Sequence, residues 1–242
     1  MRGVRLVWLV VLYSSVCCSA QTAEELVSKN IQAKGGIDKI KAVNTVAMNG
    51  KIYVQGITAE ISQEQKRPNM LRQNFTVQGM TQVQAYDGTT AWQIRPFNGR
   101  KDPELMGEDE ARGLIEQADI DGPLVDYASK GNKVEYLGHD TVDGDDAYKL
   151  KVTLKNGDII YYYLDPDTYL EVKTEKQEFI RGNVRETEQE LGSYKQVAGV
   201  YYPYSLEGGT KGNPGDHVRI TMDKIEVNVP IDDSLFKMPV KK

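Results

Sequence analysis

The chain has 242 residues, with 30 Lys and Arg against 35 Asp and Glu and a formal net charge of −5. An acidic chain with no basic run is a poor match for nucleic acid. Both of its 2 cysteines, Cys17 and Cys18, fall at the start, so a chain trimmed after Ala20 has no thiol for a disulfide, a metal site or a nucleophile.

Residues 1–20 read as a secretory signal peptide. Arg2 and Arg5 form the positive start, Leu6 to Tyr13 is an apolar run, and small residues lead to Ala20. That run is shorter than the roughly 20 residues a membrane-spanning helix needs. Cys18-Ser19-Ala20 before Gln21 fits a small-x-small cleavage site, which starts the mature chain at Gln21. Lipid attachment at Cys17 or Cys18 is the less favoured reading, because neither has Leu three residues before it. Without Arg2 and Arg5 the chain has 28 basic and 35 acidic residues, a net charge of −7.

Thr22 to Gly35 reads as a helix. Thr22 and Glu25 have capping-box spacing, and Leu26, Val27, Asn30, Ile31 and Lys34 alternate an apolar stripe with a wet face. Gly35-Gly36 ends it. Ile37 to Val43 reads as a second short helix with Ile37, Ile40 and Val43 on one side. The period then changes to two. Thr45 to Val54, Thr58 to Lys66 and Leu71 to Val77 read as strands, with Gly50 and Gly56 as bulges or bends in a curved sheet. Met80 to Tyr86 and Thr89 to Ile94 form a hairpin around Asp87-Gly88. Pro96 to Pro103 reads as a loop, Glu108 to Ala118 as a helix, and Pro123 to Ser129 as one or two further helical turns.

Strands then return. Ala147 to Leu154 puts Tyr148, Leu150, Val152 and Leu154 on one face. Asn156-Gly157 is the turn signal and Ile159 to Leu164 the partner strand. Leu170 to Ile180 and Val184 to Tyr194 pair around Gly182-Asn183, and Val200 to Leu206 and His217 to Val229 finish the sheet. In the last, Val218, Ile220 and Met222 lie on one phase and Ile225, Val227 and Val229 on the other. A bulge near Asp223-Lys224 returns them to one face. Leu235 and Phe236, in the tail from Pro230 to Pro239, pack on the body. The total is about ten or eleven antiparallel strands, an N-terminal helix pair and a mid-chain helical insertion, in one domain over residues 21–242. Twist accumulates over so many strands, so the sheet curls into a closed barrel or a half-barrel with a concave face.

Catalytic signatures are weak. His139 and His217 lie in different strands with no His-Glu-x-x-His pattern. No Gly-x-Ser-x-Gly elbow occurs, and no Gly-rich loop joins a strand to a helix to cradle phosphate. Glu108-Asp109-Glu110 and Asp143, Asp145 and Asp146 sit at a helix start and a turn, where acids are favoured for conformational reasons. Asp143-Gly144-Asp145-Asp146 lacks the twelve-residue calcium-loop pattern, and Asn74-Phe75-Thr76 is a short glycosylation pattern that arises by chance. More telling are Tyr161-Tyr162-Tyr163 and Tyr201-Tyr202-Pro203-Tyr204, whose rings give a strand an apolar body with a polar tip. Met70, Met80 and Met222 are adaptable apolar fillers.

Tyr86-Asp87-Gly88-Thr89-Thr90-Ala91-Trp92, followed by the Pro-containing loop at Arg95-Pro96-Phe97, resembles the LolA/LppX-like group, which includes outer-membrane lipoprotein-sorting proteins. Ile31-Gln32-Ala33-Lys34-Gly35-Gly36 and Asp232-Asp233-Ser234-Leu235-Phe236 are similar as well, so the resemblance runs from Thr22 to Pro239. It implies a mainly β fold with α: a single curved antiparallel sheet forming an unclosed half-barrel of about eleven strands, with N-terminal helices and a mid-chain helical lid. It also implies a monomeric, non-enzymatic carrier in the bacterial periplasm that needs no cofactor. The partners implied are the acyl chains of a lipoprotein or lipid and the transport proteins of the inner and outer membranes. Phe75, Met80, Tyr86, Trp92, Leu114 and Tyr162 are the candidate lining residues, and Leu114→Asp is expected to weaken lipid binding without unfolding the chain. The alternatives are an envelope scaffold that binds protein rather than lipid and, further off, a hydrolase of envelope glycan or lipid.

Overall fold

The computed structural model describes residues 21–240; the segment read as a signal peptide, with Cys17 and Cys18, lies outside the described residues. Helix α1 (Ala23–Ala33) begins with the expected capping box, in which Glu25 N–H donates to Thr22 Oγ1 and Thr22 N–H to Glu25 Oε2. Helix α2 (Ile37–Ala42) follows. It buries Ile40, and Val43 just beyond it, but leaves Ile37 40% exposed, so the three do not share a buried side.

The strands are β1 (Thr45–Val54), β2 (Ile57–Lys66), β3 (Met70–Val77), β4 (Met80–Tyr86), β5 (Ala91–Arg95), β6 (Arg100–Leu105), β7 (Lys133–Val142), β8 (Asp145–Thr153), β9 (Ile159–Leu164), β10 (Glu171–Ile180), β11 (Asn183–Gly192), β12 (Lys195–Val197), β13 (Val200–Tyr202), β14 (Ser205–Thr210) and β15 (Val218–Val227). Helix α3 (Glu108–Gln117) lies between β6 and β7. Thirteen strands form one antiparallel sheet in the order β6-β5-β4-β3-β2-β1-β15-β14-β11-β10-β9-β8-β7, and β12 and β13 form a separate ribbon. The end strands β6 and β7 do not pair, so the barrel is unclosed.

The sheet has two more strands than expected. β6 replaces the loop read over Pro96 to Pro103, and β7 fills a stretch that the strand pattern left unassigned. Both are edge strands. Pro103 is tolerated in β6 because an edge leaves one row of N–H groups unpaired. In β7 a bulge at Leu137 and Gly138 interrupts the period. The helical turns read over Pro123 to Ser129 are irregular turns with one helical bond, Lys130 N–H to the Asp126 carbonyl at 3.1 Å.

β15, the last strand, enters the middle of the sheet and joins its two halves by pairing with β1 and β14. Its partners shift from Asn49–Lys224 to Gly50–Met222, so Asp223 is the extra residue of the expected bulge. A Cβ on Gly50 would run into the Thr221 carbonyl, so glycine is required where the strands close up. Further bulges on β10 and β7 add bend and twist. Two of the hairpin turns differ in detail from the expectation. Asp87-Gly88 sits in a four-residue connection in which Asp87 Oδ1 accepts from the Thr89 and Thr90 N–H groups. The β10–β11 turn is Arg181-Gly182, both at positive φ, one residue before the expected pair.

Register fixes which side chains share the concave face. The row Leu150, Tyr162, Thr174 and Gln189 crosses β8 to β11, and Val46, Gln65, Leu71 and Tyr86 cross β1 to β4. Helix α1 covers one end of this face, with Leu26 and Val27 on Leu150, Val152, Ile160 and Leu164. Helix α2 and the segment after α3 cover the centre, with Ile40, Val43 and Val125 on Val46 and Ile225. Leu114 and Ala118 lie on Leu71 and Tyr86. The convex face is covered at one place by the C-terminal tail, where Met238 packs on the cluster of Val83, Ala85 and Trp92.

Candidate functional site: the hollow of the half-barrel

The concave face keeps a hollow in three adjoining parts. The first, about 180 Å³, is lined by Met48, Ile61, Phe75 and Met222 with Gln63, Gln73, Gln82 and Gln84. The second, about 270 Å³, lies under α2 and shares Met48 with the first. The third, about 620 Å³, runs over β9, β10, β11 and β14 and shares Tyr162 and Thr174 with the second. Its walls are more polar, with Glu116, Asp119, Lys176 and Arg185 beside Ile160, Leu206 and Val218.

The cover is tied down by polar links as well as by packing. Along α3, Arg112 Nη1 reaches Asp158 Oδ1 at 3.2 Å and donates to the Phe179 carbonyl at 3.0 Å. Glu116 pairs with Lys176 at 2.9 Å, Asp109 with Arg181 at 2.7 Å and Glu110 with Arg95 at 3.1 Å. Gln65 Nε2 donates to the Gln117 carbonyl at 2.6 Å. The helix is thus pinned to β2 and β5 on one side and to β10 and its turn on the other. Burial pushes the Glu116 carboxyl up from its ordinary value, and Lys176 offsets this only in part.

The roof has its own joint. The Asp121 carboxylate takes Arg67 Nη2 at 2.5 Å, Arg67 Nη1 at 3.0 Å and Lys41 Nζ at 2.6 Å. Burial works to raise its pKa, but these bonds outweigh it and hold the carboxyl below the usual range. At the end of α1, Lys34 pairs with the buried Glu171 at 3.0 Å, and Tyr194 donates to the Glu171 carbonyl at 2.8 Å. Burial opposes ionisation of Glu171 as well, yet Lys34 keeps it lowered.

The six candidate lining residues divide. Phe75 lines the first part of the hollow and meets Phe97 edge to face at 5.9 Å. Tyr162 lines the second and third, where burial pushes its hydroxyl well above its ordinary pKa. Tyr86 and Leu114 are on the concave side but packed together in a filled cluster, with the Tyr86 hydroxyl donating to the Gly88 carbonyl at 2.8 Å. Met80 is 41% exposed at the β3–β4 hairpin and lines no part of the hollow described here. Trp92 faces the other way. It pairs with Ala85 on the convex side, is fully buried, and donates Nε1–H to the Phe236 carbonyl at 2.7 Å. Trp92 is one residue out of phase with Gln93, which shares the face of Gln84, and its ring needs a polar partner that the tail supplies.

Met48, Ile61 and the glutamines were not singled out from sequence. Their signal is that alternate residues of β1 to β4 are apolar or glutamine, a pattern that register alone makes visible. His139 and His217 form exposed pairs with Asp146 at 2.8 Å and Glu207 at 3.0 Å. Among the described residues no three His, Cys, Asp or Glu side chains converge to hold a metal ion.

The architecture is an open half-barrel with helices over a partly apolar hollow. No family model matches the chain, and no curated protein matches it by sequence. Solved structures share its fold. A LolA superfamily protein from Nitrosomonas europaea is 12% identical, with a TM-score of 0.60 over 90% of this chain and 98% of that one. A putative outer membrane lipoprotein-sorting protein domain from Vibrio parahaemolyticus gives 11% identity and a TM-score of 0.59 over 88% and 97%. A DUF1329 family protein from Desulfovibrio piger gives 12% and 0.56 over 89% and 97%. The fold is the LolA-like open barrel that the resemblance implied.

Proposed function

We propose that this protein is a non-enzymatic periplasmic carrier that holds the acyl chains of a lipoprotein or lipid in the hollow of its half-barrel. One observation carries the reading: the concave face keeps space that its covering helices do not fill, in three parts that adjoin at shared wall residues, Met48 between the first and second and Tyr162 and Thr174 between the second and third. Each methylene buried there contributes about 0.8 kcal/mol, so part of one chain suffices for useful affinity. Ion pairs on α3 suit a cover that opens, because polar links re-form with water where a core contact does not. A scaffold that binds protein alone has no use for such space, which favours the carrier reading over it.

The test is native mass spectrometry of protein purified from a bacterial periplasm, with organic extraction of whatever accompanies it. A stoichiometric acyl-chain species is expected. A clean apo mass, with no uptake of added lipid or lipopeptide, would overturn the proposal in favour of a scaffold.

A further inference from the structure

Four neighbouring strands carry a glutamine at one level of the concave face. Cross-strand partners run Gln63–Gln73, Gln73–Gln84 and Gln84–Gln93 across β2, β3, β4 and β5. Met48 of β1 extends the row beside Gln63. Directly opposed residues of an antiparallel pair hold their Cβ atoms about 5 Å apart, so the row is a strip of primary amides. Gln73 Nε2 donates to Gln63 Oε1 at 2.8 Å and to Gln117 Oε1 of α3 at 2.9 Å, which brings the cover down onto the strip. At its far end Gln93 is 1% exposed, and neither its Nε2 nor its Oε1 has a partner. A buried amide with both ends unpaired is an exception to the usual satisfaction of buried polar groups.

The part of the hollow floored by Gln63, Gln73 and Gln84 has no ionisable side chain on its wall; the rest of that wall is chiefly Met48, Ile61, Phe75, Met222 and Gln82. Such a wall discriminates among ligands. A bare hydrocarbon laid on the strip takes water from the amides and returns no hydrogen bond. An ionised head loses its hydration and meets no counter-charge. An uncharged amide or ester can exchange hydrogen bonds with primary amides, which both donate and accept. We propose that the glutamine strip recognises the uncharged amide or ester linkage from which the ligand's acyl chains hang, with the chains lying on Met48, Ile61, Phe75 and Met222. This rests on the carrier reading and gives it a ligand chemistry: the hollow selects for the linkage, and its apolar patches hold the chain.

The experiment is displacement of a fluorescent lipid-like reporter from the mature chain by four probes: N-dodecanoyl-glycinamide, dioctanoylglycerol, dodecanoate and dodecane. Gln73→Leu and Gln84→Leu remove amides at nearly constant volume, and Gln73→Met replaces either that fails to melt cooperatively. The wild type is expected to prefer the amide or the ester probe to dodecane by tenfold or more. Which of the two leads identifies the source as an acylated peptide or a glycerolipid. Each variant is expected to weaken the preferred probe about fivefold per hydrogen bond lost, while dodecane binds equally or better. Equal binding of dodecane and the linkage probes by the wild type would overturn the inference and leave the carrier reading standing. So would variants that weaken all four probes alike. A reporter that binds but is displaced by none of the probes would overturn the inference alone, and failure of the reporter and of every probe to bind would remove both.

Discussion

Asp121→Asn removes one charge from the roof and leaves its shape. The Asp121 side chain is 4% exposed, and its partner Arg67 also donates to the Val43 and Ile40 carbonyls at 2.6 and 3.1 Å. One carboxylate therefore holds α2, the segment after α3 and the β2–β3 connection together. A hydrogen bond to a charged group contributes about 1.5–3 kcal/mol, and loss of one buried partner leaves the other charge uncompensated. Lys41 is 39% exposed and adds little. The amide keeps one acceptor for Arg67, which puts the expected loss at about 3 kcal/mol at neutral pH.

In urea this lowers the unfolding midpoint by about 1 M with an unchanged slope. The variant should also bind more of an apolar dye as the roof loosens. The pH dependence has a definite sign. The folded carboxyl is held below its ordinary value, so its contribution is full above the unfolded pKa, about 3.9, and is lost as pH falls through the lower folded value. The gap between wild type and variant should stay constant from neutral pH to about 5 and close in stronger acid. A midpoint change below about 0.3 M, or a gap that does not narrow in acid, would refute the joint.

Phe75→Asp brings a carboxylate into an uncharged, half-open wall; lipid-probe affinity should fall at least about tenfold with little change in melting temperature, and unchanged affinity would remove this part of the hollow from the site. Leu114→Asp should act differently from its first expectation. Leu114 is 5% exposed among Leu71, Tyr86 and Ala118, so a charge there should cost about 3 kcal/mol or more, seen as a lower thermal midpoint. Trp92→Ala should lose about 3–5 kcal/mol in urea unfolding, because it empties a fully buried site and frees the Phe236 carbonyl. Its folded fraction should bind lipid with unchanged stoichiometry, since the ring lies behind the sheet. Gly50→Val should weaken the β1–β15 seam through the Thr221 carbonyl, with amide exchange rising first on those two strands.

Much of the fold was legible because local chemistry wrote it. The capping box at Thr22 and Glu25, the two-residue period of β8 and the phase change that demanded a bulge at Asp223 are all properties of neighbouring residues. What escaped lay where local signals fade: β6 carries a proline that only an edge tolerates, and β7 changes phase at Gly138. The hollow was legible in kind, as aromatic and Met-rich strands, but not residue by residue.

By itself the sequence determined that this is a long, curled antiparallel sheet with helices before it and within it, because periodicity, caps and turn residues act over a few positions. Only the tertiary structure decided which face became the hollow. A strand has two faces by symmetry of its period, and the choice came from what covered each. Helix α1 lies over Tyr162 and α3 reaches Gln73, while the C-terminal tail took Trp92 from behind. Those contacts join residues from 44 positions apart, as Gln73 to Gln117, to 144, as Trp92 to Phe236, and no local pattern encodes them.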